Sequence, residues 1–78
     1  MTRNQAVEII EKENLQRYNF DENRYDTNNE TVIKEKCGKW LVYATDERAW
    51  VYGIIREYDT EDDALDIFID LLRFANRK

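Results

Sequence analysis

The apolar and polar positions of the chain divide it into helical segments at both ends and strand-like segments between them. In the first segment, apolar residues recur at the spacing of one helix face: Ala6, Val7 and Ile10. Thr2, followed three residues later by Gln5, fits a capping box in which each side chain binds the backbone N–H of the other residue. Asn14 fits a C-terminal cap. The pattern predicts a first helix of about three turns between Thr2 and Asn14.

The middle of the chain is rich in β-branched and aromatic residues, which suit a pleated, half-buried surface. The predicted strands are a short edge strand near Tyr18 to Tyr25, then Thr31–Lys36, Trp40–Thr45 and Ala49–Tyr58. Cys37 and Gly38 predict a tight turn, since glycine supplies the positive φ that such turns need. Gly53 predicts a bulge in the last strand or the close approach of a helix. Both faces of the last two strands are partly apolar, so we expect one face to meet helices and the other to keep aromatic residues near solvent.

The last segment predicts a second helix. Thr60 is placed to cap it, and Glu61, Asp62 and Asp63 follow where the helix dipole favours negative charge. Apolar residues then recur at helical spacing: Ala64, Phe68, Leu71, Leu72 and Ala75, with Leu65, Ile67, Ile69 and Phe74 widening the stripe. The order α-β-β-β-β-α predicts an α+β fold, in which an antiparallel sheet of three to four strands is flanked by an N-terminal and a C-terminal helix.

Composition predicts one small globular domain, residues 1–78. Hydrophobic residues make up 42% of the chain and charged residues 37%, a balance typical of a folded, strongly solvated domain. Cys37 is the only cysteine, so an internal disulfide is excluded and a reducing compartment is expected. No apolar run approaches the roughly 20 residues that span a bilayer, and no signal peptide is recognisable. We therefore expect a soluble, cytoplasmic protein.

Negative charge is concentrated in one segment. Between residues 57 and 70 there is no lysine or arginine, but there are seven acids: Glu57, Asp59, Glu61, Asp62, Asp63, Asp66 and Asp70. They contribute −7 to a net charge of −5, so the rest of the chain carries +2. A segregated charge offers an electrostatic field to a basic partner. Helix capping and a solvated helix face would explain the same acids without a partner.

Most residues that support enzyme mechanisms are missing. There is no histidine, which removes the commonest general base and metal ligand. Gly38 and Gly53 are the only glycines, so there is no glycine-rich phosphate loop. Cys37 lacks an obvious activating neighbour. The acids from Asp59 to Asp63 lack the glycine and the closing glutamate of a calcium loop. We therefore predict no enzyme activity, no metal and no cofactor.

Three features fit a protein-binding surface, and each also has a simpler structural explanation. The acidic segment is suited to docking on a basic protein surface or to helix capping. The surplus aromatic residues are suited to an interface or to the core. The polar turn between the last two strands is a recognition loop or an ordinary connection. The candidate partner-binding residues are Tyr43, Asp46, Glu47, Arg48, Trp50, Tyr52, Glu57, Asp59, Glu61, Asp62, Asp63, Asp66 and Asp70.

Two stretches carry a family resemblance: Lys39–Ala49, reading KWLVYATDERA, and Tyr58–Leu65, reading YDTEDDAL, with Phe68 and Leu72 after it. This pattern resembles bacterial polymorphic-toxin immunity proteins and is most similar to the Immunity protein 59 family. The resemblance implies a small cytoplasmic protein that binds and neutralises a cognate toxin domain. If that toxin is a nuclease, acidic side chains would occupy the phosphate positions of its basic active site, and binding would be fast and salt-sensitive.

The residues do not favour nucleic acid or a membrane as a partner. Basic residues do not cluster with aromatic residues along the chain, so direct nucleic-acid binding is not expected. A basic amphipathic helix, which membrane association would need, is missing. Two alternatives stay open: a homodimeric module joined through Trp50 and Tyr52, and a mobile-element inhibitor that mimics nucleic-acid charge. The oligomeric state is therefore either monomer or homodimer.

Overall fold

The computed structural model describes residues 1–22 and 24–77. Its elements are α1 (Arg3–Glu13), β1 (Tyr18–Phe20), β2 (Thr31–Lys36), β3 (Lys39–Thr45), β4 (Val51–Tyr58) and α2 (Glu61–Ala75). The predicted α+β class and the order α-β-β-β-β-α are confirmed. Within the described ranges, no helix is long and apolar enough to cross a membrane.

The four strands form one sheet in sequence order, β1-β2-β3-β4. Two pairs are antiparallel, but β1 pairs with β2 in parallel, so the prediction of a purely antiparallel sheet is wrong at this edge. Parallel neighbours require the chain to cross back between them, and the loop before β2 makes this crossing. β1 is also shorter than the predicted Tyr18–Tyr25, because the backbone turns to a positive φ of 54° at Asp21. Asn23, inside that predicted range, lies outside the described residues.

Both helices begin where their capping residues predict. The Thr2 hydroxyl accepts the Gln5 N–H at 3.2 Å, and the Thr2 N–H donates to Gln5 Oε1 at 2.8 Å, which completes the capping box. Asn14 ends α1 in the left-handed conformation. At the start of α2, the Thr60 hydroxyl accepts the Asp63 N–H at 3.3 Å.

The main core lies between α2 and one face of the sheet. α2 packs over β2 and β3, and α1 packs against α2. Phe68 of α2 is fully buried and meets the ring of Phe20 edge-on, with the ring centroids 5.5 Å apart. The buried core residues are Ala6, Ile10, Leu15, Ile33, Val42, Ala64, Leu65, Phe68, Ile69 and Leu72. Phe74 and Ala75, which the apolar stripe of α2 includes, are exposed.

The β2–β3 turn and the β4 bulge both form where glycine predicts them. Cys37 and Gly38 both have positive φ, 53° and 78°, at the tip between β2 and β3, as a two-residue hairpin turn requires. The predicted bulge is confirmed in β4, where Gly53 has a φ of 81° and the register on β3 shifts between Val42 and Ala44.

The loop at residues 24–30 is tied together by a buried carboxylate. Glu30 is almost fully buried, and its carboxylate binds the Arg24 guanidinium at 3.0 Å. It also accepts the N–H and the hydroxyl of Thr27, each at 2.9 Å. Burial alone would raise the pKa of Glu30, but the hydrogen bonds from Arg24 and Thr27 hold it below its ordinary value. The bond to Glu30 also raises the pKa of Arg24.

This loop covers the second face of β3. Tyr43 is only 3% exposed, and its hydroxyl donates to Asp26 Oδ2 at 2.6 Å. Burial, together with that hydrogen bond, raises the pKa of Tyr43. The Thr45 hydroxyl donates to the Thr27 carbonyl at 2.6 Å. The expectation that this face keeps its aromatic residues near solvent is therefore wrong for Tyr43, because the loop lies over it.

Candidate binding surface

β4 is the exposed edge of the sheet. Every residue from Val51 to Glu57 is exposed, although most of them are apolar or aromatic. The exposed fraction is 72% for Tyr52 and 75% for Ile54, and Trp50, just before the strand, is 72% exposed. Edge strands usually limit such exposure, because free backbone groups beside apolar side chains promote association. A patch of this kind on a folded domain is a candidate interaction surface.

β4 is bare because neither covering layer extends over it. α2 lies over β2 and β3 and contacts β4 less than either. Only Tyr58, at the end of β4, packs against the core. On the other face, the loop at residues 24–30 binds β3 through Tyr43 and Thr45. Neither layer therefore covers β4 as fully as it covers β3.

An open groove of about 1050 Å³ runs between β4 and the last turns of α2. Tyr52 and Ile54 line it from the strand, and Leu71 and Phe74 line it from the helix. Phe74 is 69% exposed. The groove therefore brings apolar side chains of two elements together around one accessible space.

Arginines surround these apolar side chains. Arg17, Arg48 and Arg56 line the groove, and Asp46 and Glu47 line its turn end. Across residues 1–22 and 24–77, none of the three arginines forms an ion pair. Solvent-exposed tryptophan, tyrosine and arginine are the residue types that contribute most to binding energy in protein interfaces. The groove therefore combines exposed apolar side chains with arginines, the composition that makes it the candidate binding surface.

The residues predicted around the β3–β4 turn have different environments. The Asp46 carboxylate accepts the N–H of Arg48 at 2.8 Å and the N–H of Trp50 at 3.1 Å, so it shapes the turn between β3 and β4. Glu47 and Arg48 are exposed at the tip of this turn. Tyr43, predicted with them, is buried and therefore removed from the accessible surface.

Three of the predicted acids are engaged inside the chain. Asp59 binds Lys39, which lowers the pKa of Asp59. Glu61 binds Arg3. The Asp66 carboxylate accepts the α-amino group of Met1 at 2.7 Å. These acids hold α1 and β3 to the region around the start of α2.

The other four predicted acids have no such partner in the described part of the chain. Glu57, Asp62, Asp63 and Asp70 are exposed, and none of them forms an ion pair there. The accessible negative charge is therefore smaller than the sequence count, and three of its four members lie on α2. Asp62 and Asp63 lie in the first turn of that helix, whereas Asp70 directly precedes Leu71, which lines the apolar groove.

The groove residues that the sequence alone missed include Arg17, Ile54, Arg56 and Phe74. Ile54 and Phe74 fit the apolar patterns of a strand and a helix, so periodicity assigned them to structure. One signal was present at Gly53, because a bulge is commonest at sheet edges and marks β4 as an outer strand. Nothing local to Arg17 places it beside β4.

The described residues contain no cluster of three or more His, Cys, Asp or Glu side chains able to hold a metal ion. Cys37 is a free, exposed thiol at the tip of the β2–β3 hairpin.

No protein-family model, curated protein or solved structure matches this chain.

Proposed function

We propose that this chain is an immunity protein, which binds a cognate bacterial toxin domain and neutralises it through protein–protein contact. One observation carries the proposal: β4 presents Trp50, Tyr52 and Ile54 at exposed fractions of 72–75% beside a groove lined by arginines. The resemblance of residues 31–74 to the Immunity protein 59 family supports the same function.

The groove supplies the anchor in this proposal. Tyr52 and Phe74 have rigid rings that bury a large area when a partner covers them. Arg56 and Arg48 add donors in a fixed geometry that suits carboxylates or carbonyl groups of the partner. Truncation of such an anchor typically costs about 2 kcal/mol or more of binding free energy.

The exposed acids of α2 have a different part in the proposal. Asp62, Asp63 and Asp70 would attract a basic toxin surface over a distance and so raise the association rate. Such an effect weakens with salt, because the Debye length falls to about 8 Å at physiological ionic strength.

The experiment pairs the chain with the toxin domain encoded by the gene directly upstream. Bacterial survival on co-expression and isothermal titration of the purified proteins are measured for wild type and for two variants. We expect Tyr52→Ala to weaken binding by about thirtyfold and to abolish protection. Tyr25→Ala is the matched control, because Tyr25 is 96% exposed but lies in the loop, away from β4, and it should change neither measurement.

Three outcomes would oppose the proposal: no upstream toxin domain, no complex with that domain, or equal losses from the two tyrosine variants.

A double variant tests the contribution of the acidic side chains to the association rate. Asp62→Asn combined with Asp70→Asn should lower the association rate at low salt and leave the dissociation rate nearly unchanged. Thermal unfolding of each variant separates a lost contact from a lost fold.

A further inference from the structure

We infer that β4 also joins this chain to a second copy of itself, by antiparallel pairing of the two β4 edges about a two-fold axis. β4 is the terminal strand of the sheet and pairs with β3 alone. Its outward backbone groups therefore form an open edge, which is a template for another strand. Pairing around a two-fold axis closes the assembly at two copies and leaves no free β4 edge. This inference goes beyond the proposed function, because it needs no toxin.

Two-fold symmetry restricts the register. Each residue must face the residue equally far from the axis on the second copy, so one residue faces itself. With Gly53 at the axis, Tyr52 faces Ile54 of the second copy, and Val51 faces Ile55. Each exposed apolar side chain of the strand then gains an apolar neighbour directly across, which is the arrangement that stabilises antiparallel pairs.

The charges agree with the same register. Trp50, directly before β4, faces Arg56 of the second copy, so the guanidinium meets an aromatic ring. No two like charges stand directly opposite each other between residues 50 and 56. An axis at Ile54 would instead place Val51 opposite Glu57, and an axis at Arg56 would place that charge opposite itself. The register centred on Gly53 is therefore more complementary than either of these two.

The bulge of β4 begins at this axis, because Gly53, Ile54 and Ile55 lie between Tyr52 and Arg56, which pair with Ala44 and Val42 of β3. A bulge departs from a regular ladder. In this register Ile54 and Ile55 of the bulge lie opposite Tyr52 and Val51 of the second copy. A Cβ built on Gly53 would have no atom within 4 Å, so the region around the axis is open to the second strand.

Edge pairing leaves the groove accessible. The pairing uses the outward backbone groups of β4, whereas Tyr52 and Ile54 reach the groove through their side chains. In the dimer, the two grooves adjoin across the axis. A toxin domain and a second copy can then bind at the same time.

Sedimentation equilibrium of the purified chain tests the inference. Loading concentrations of about 10 to 300 µM bracket the dissociation constants expected of small interfaces, and a reducing agent keeps Cys37 from cross-linking. We expect a monomer–dimer equilibrium for wild type. Ile54→Lys should raise the dissociation constant by at least about tenfold, through the lost apolar contact with Tyr52 of the second copy. Val7→Lys is the matched control, because Val7 is 40% exposed on α1, and it should have no effect.

Cross-linking tests the register. In a Cys37→Ser background, chains with Val51→Cys are mixed with chains with Ile55→Cys under oxidising conditions. Only the mixture should form disulfide-linked dimers, because identical cysteines would lie about 13 Å apart along the strands. A strict monomer at all concentrations, equal effects of Ile54→Lys and Val7→Lys, or efficient cross-linking of either chain alone would overturn the inference.

Discussion

β3 and β4 are partners in one hairpin and have similar apolar content, but only β3 is covered. Val42 is fully buried and Tyr43 is 3% exposed, whereas Tyr52 and Ile54 are 72% and 75% exposed. β3 lies beneath α2 on one face and beneath the loop at residues 24–30 on the other. The difference shows that apolar content makes a strand possible, while the position of the covering layers decides whether its side chains are buried.

The reach of the covering layers explains why β4 stays bare. α2 packs mainly over β2 and β3, and the loop at residues 24–30 binds β3 through Tyr43 and Thr45. Exposed apolar strands raise the risk of association. The proposed partner would cover this strand and remove that risk.

The largest expected effect is a difference in the free energy of unfolding when isoleucine is replaced by alanine on the covered strand β2 and on the exposed strand β4. Ile33→Ala should lower the free energy of unfolding by about 2–5 kcal/mol, because it leaves a cavity beneath α2. Ile54→Ala should lower it by less than about 0.5 kcal/mol, because Ile54 is already in solvent. Urea unfolding of both variants measures the difference. Equal losses would mean that β4 is covered within the monomer.

A second, smaller effect concerns the loop that covers β3. Glu30→Gln should lower the free energy of unfolding by about 1–3 kcal/mol at neutral pH, because it replaces a buried, charge-assisted contact to Arg24. The folded state lowers the pKa of Glu30, so this stabilisation is complete above the ordinary value of 4.5 and is lost as the pH falls below it. The gap between wild type and variant should therefore close on acidification, as measured by urea unfolding from pH 7 downwards. A constant gap would contradict the assigned contact.

The smallest effect distinguishes the two tyrosines of the hairpin. Tyr43→Phe removes a hydroxyl that donates to Asp26 and should cost about 0.5–1.5 kcal/mol of folding free energy. Tyr52→Phe should cost nothing measurable, because its hydroxyl is at an exposed position. Thermal unfolding of the two variants provides the comparison. A stabilised Tyr43→Phe variant would show that the bond to Asp26 is weaker than the same group's hydration.

Local chemistry predicted the elements well. The capping pair Thr2–Gln5, the N-cap Thr60 and the glycine turn at Gly38 depend on neighbours within a few residues, so their geometry is readable from the chain. The parallel pairing of β1 was not readable, because Tyr18–Phe20 is only three residues long and its direction is set by the loop that follows. The ion pairs of two predicted acids were not readable either, because Asp59 and Glu61 bind cations from elements that are distant in the sequence.

The sequence by itself determined the α+β class, the start of both helices, the end of α1 and the presence of an aromatic hairpin, because each depends on periodicity and on short-range hydrogen bonds. Only the tertiary structure decided which of those aromatic residues are accessible. Tyr43 and Tyr52 have the same side chain on adjacent strands, and the sequence treated them alike. The loop at residues 24–30 buries one, and the limited reach of α2 leaves the other in solvent beside Phe74 and Arg56. Long-range packing determines which strand is buried, and a local sequence pattern cannot show that packing.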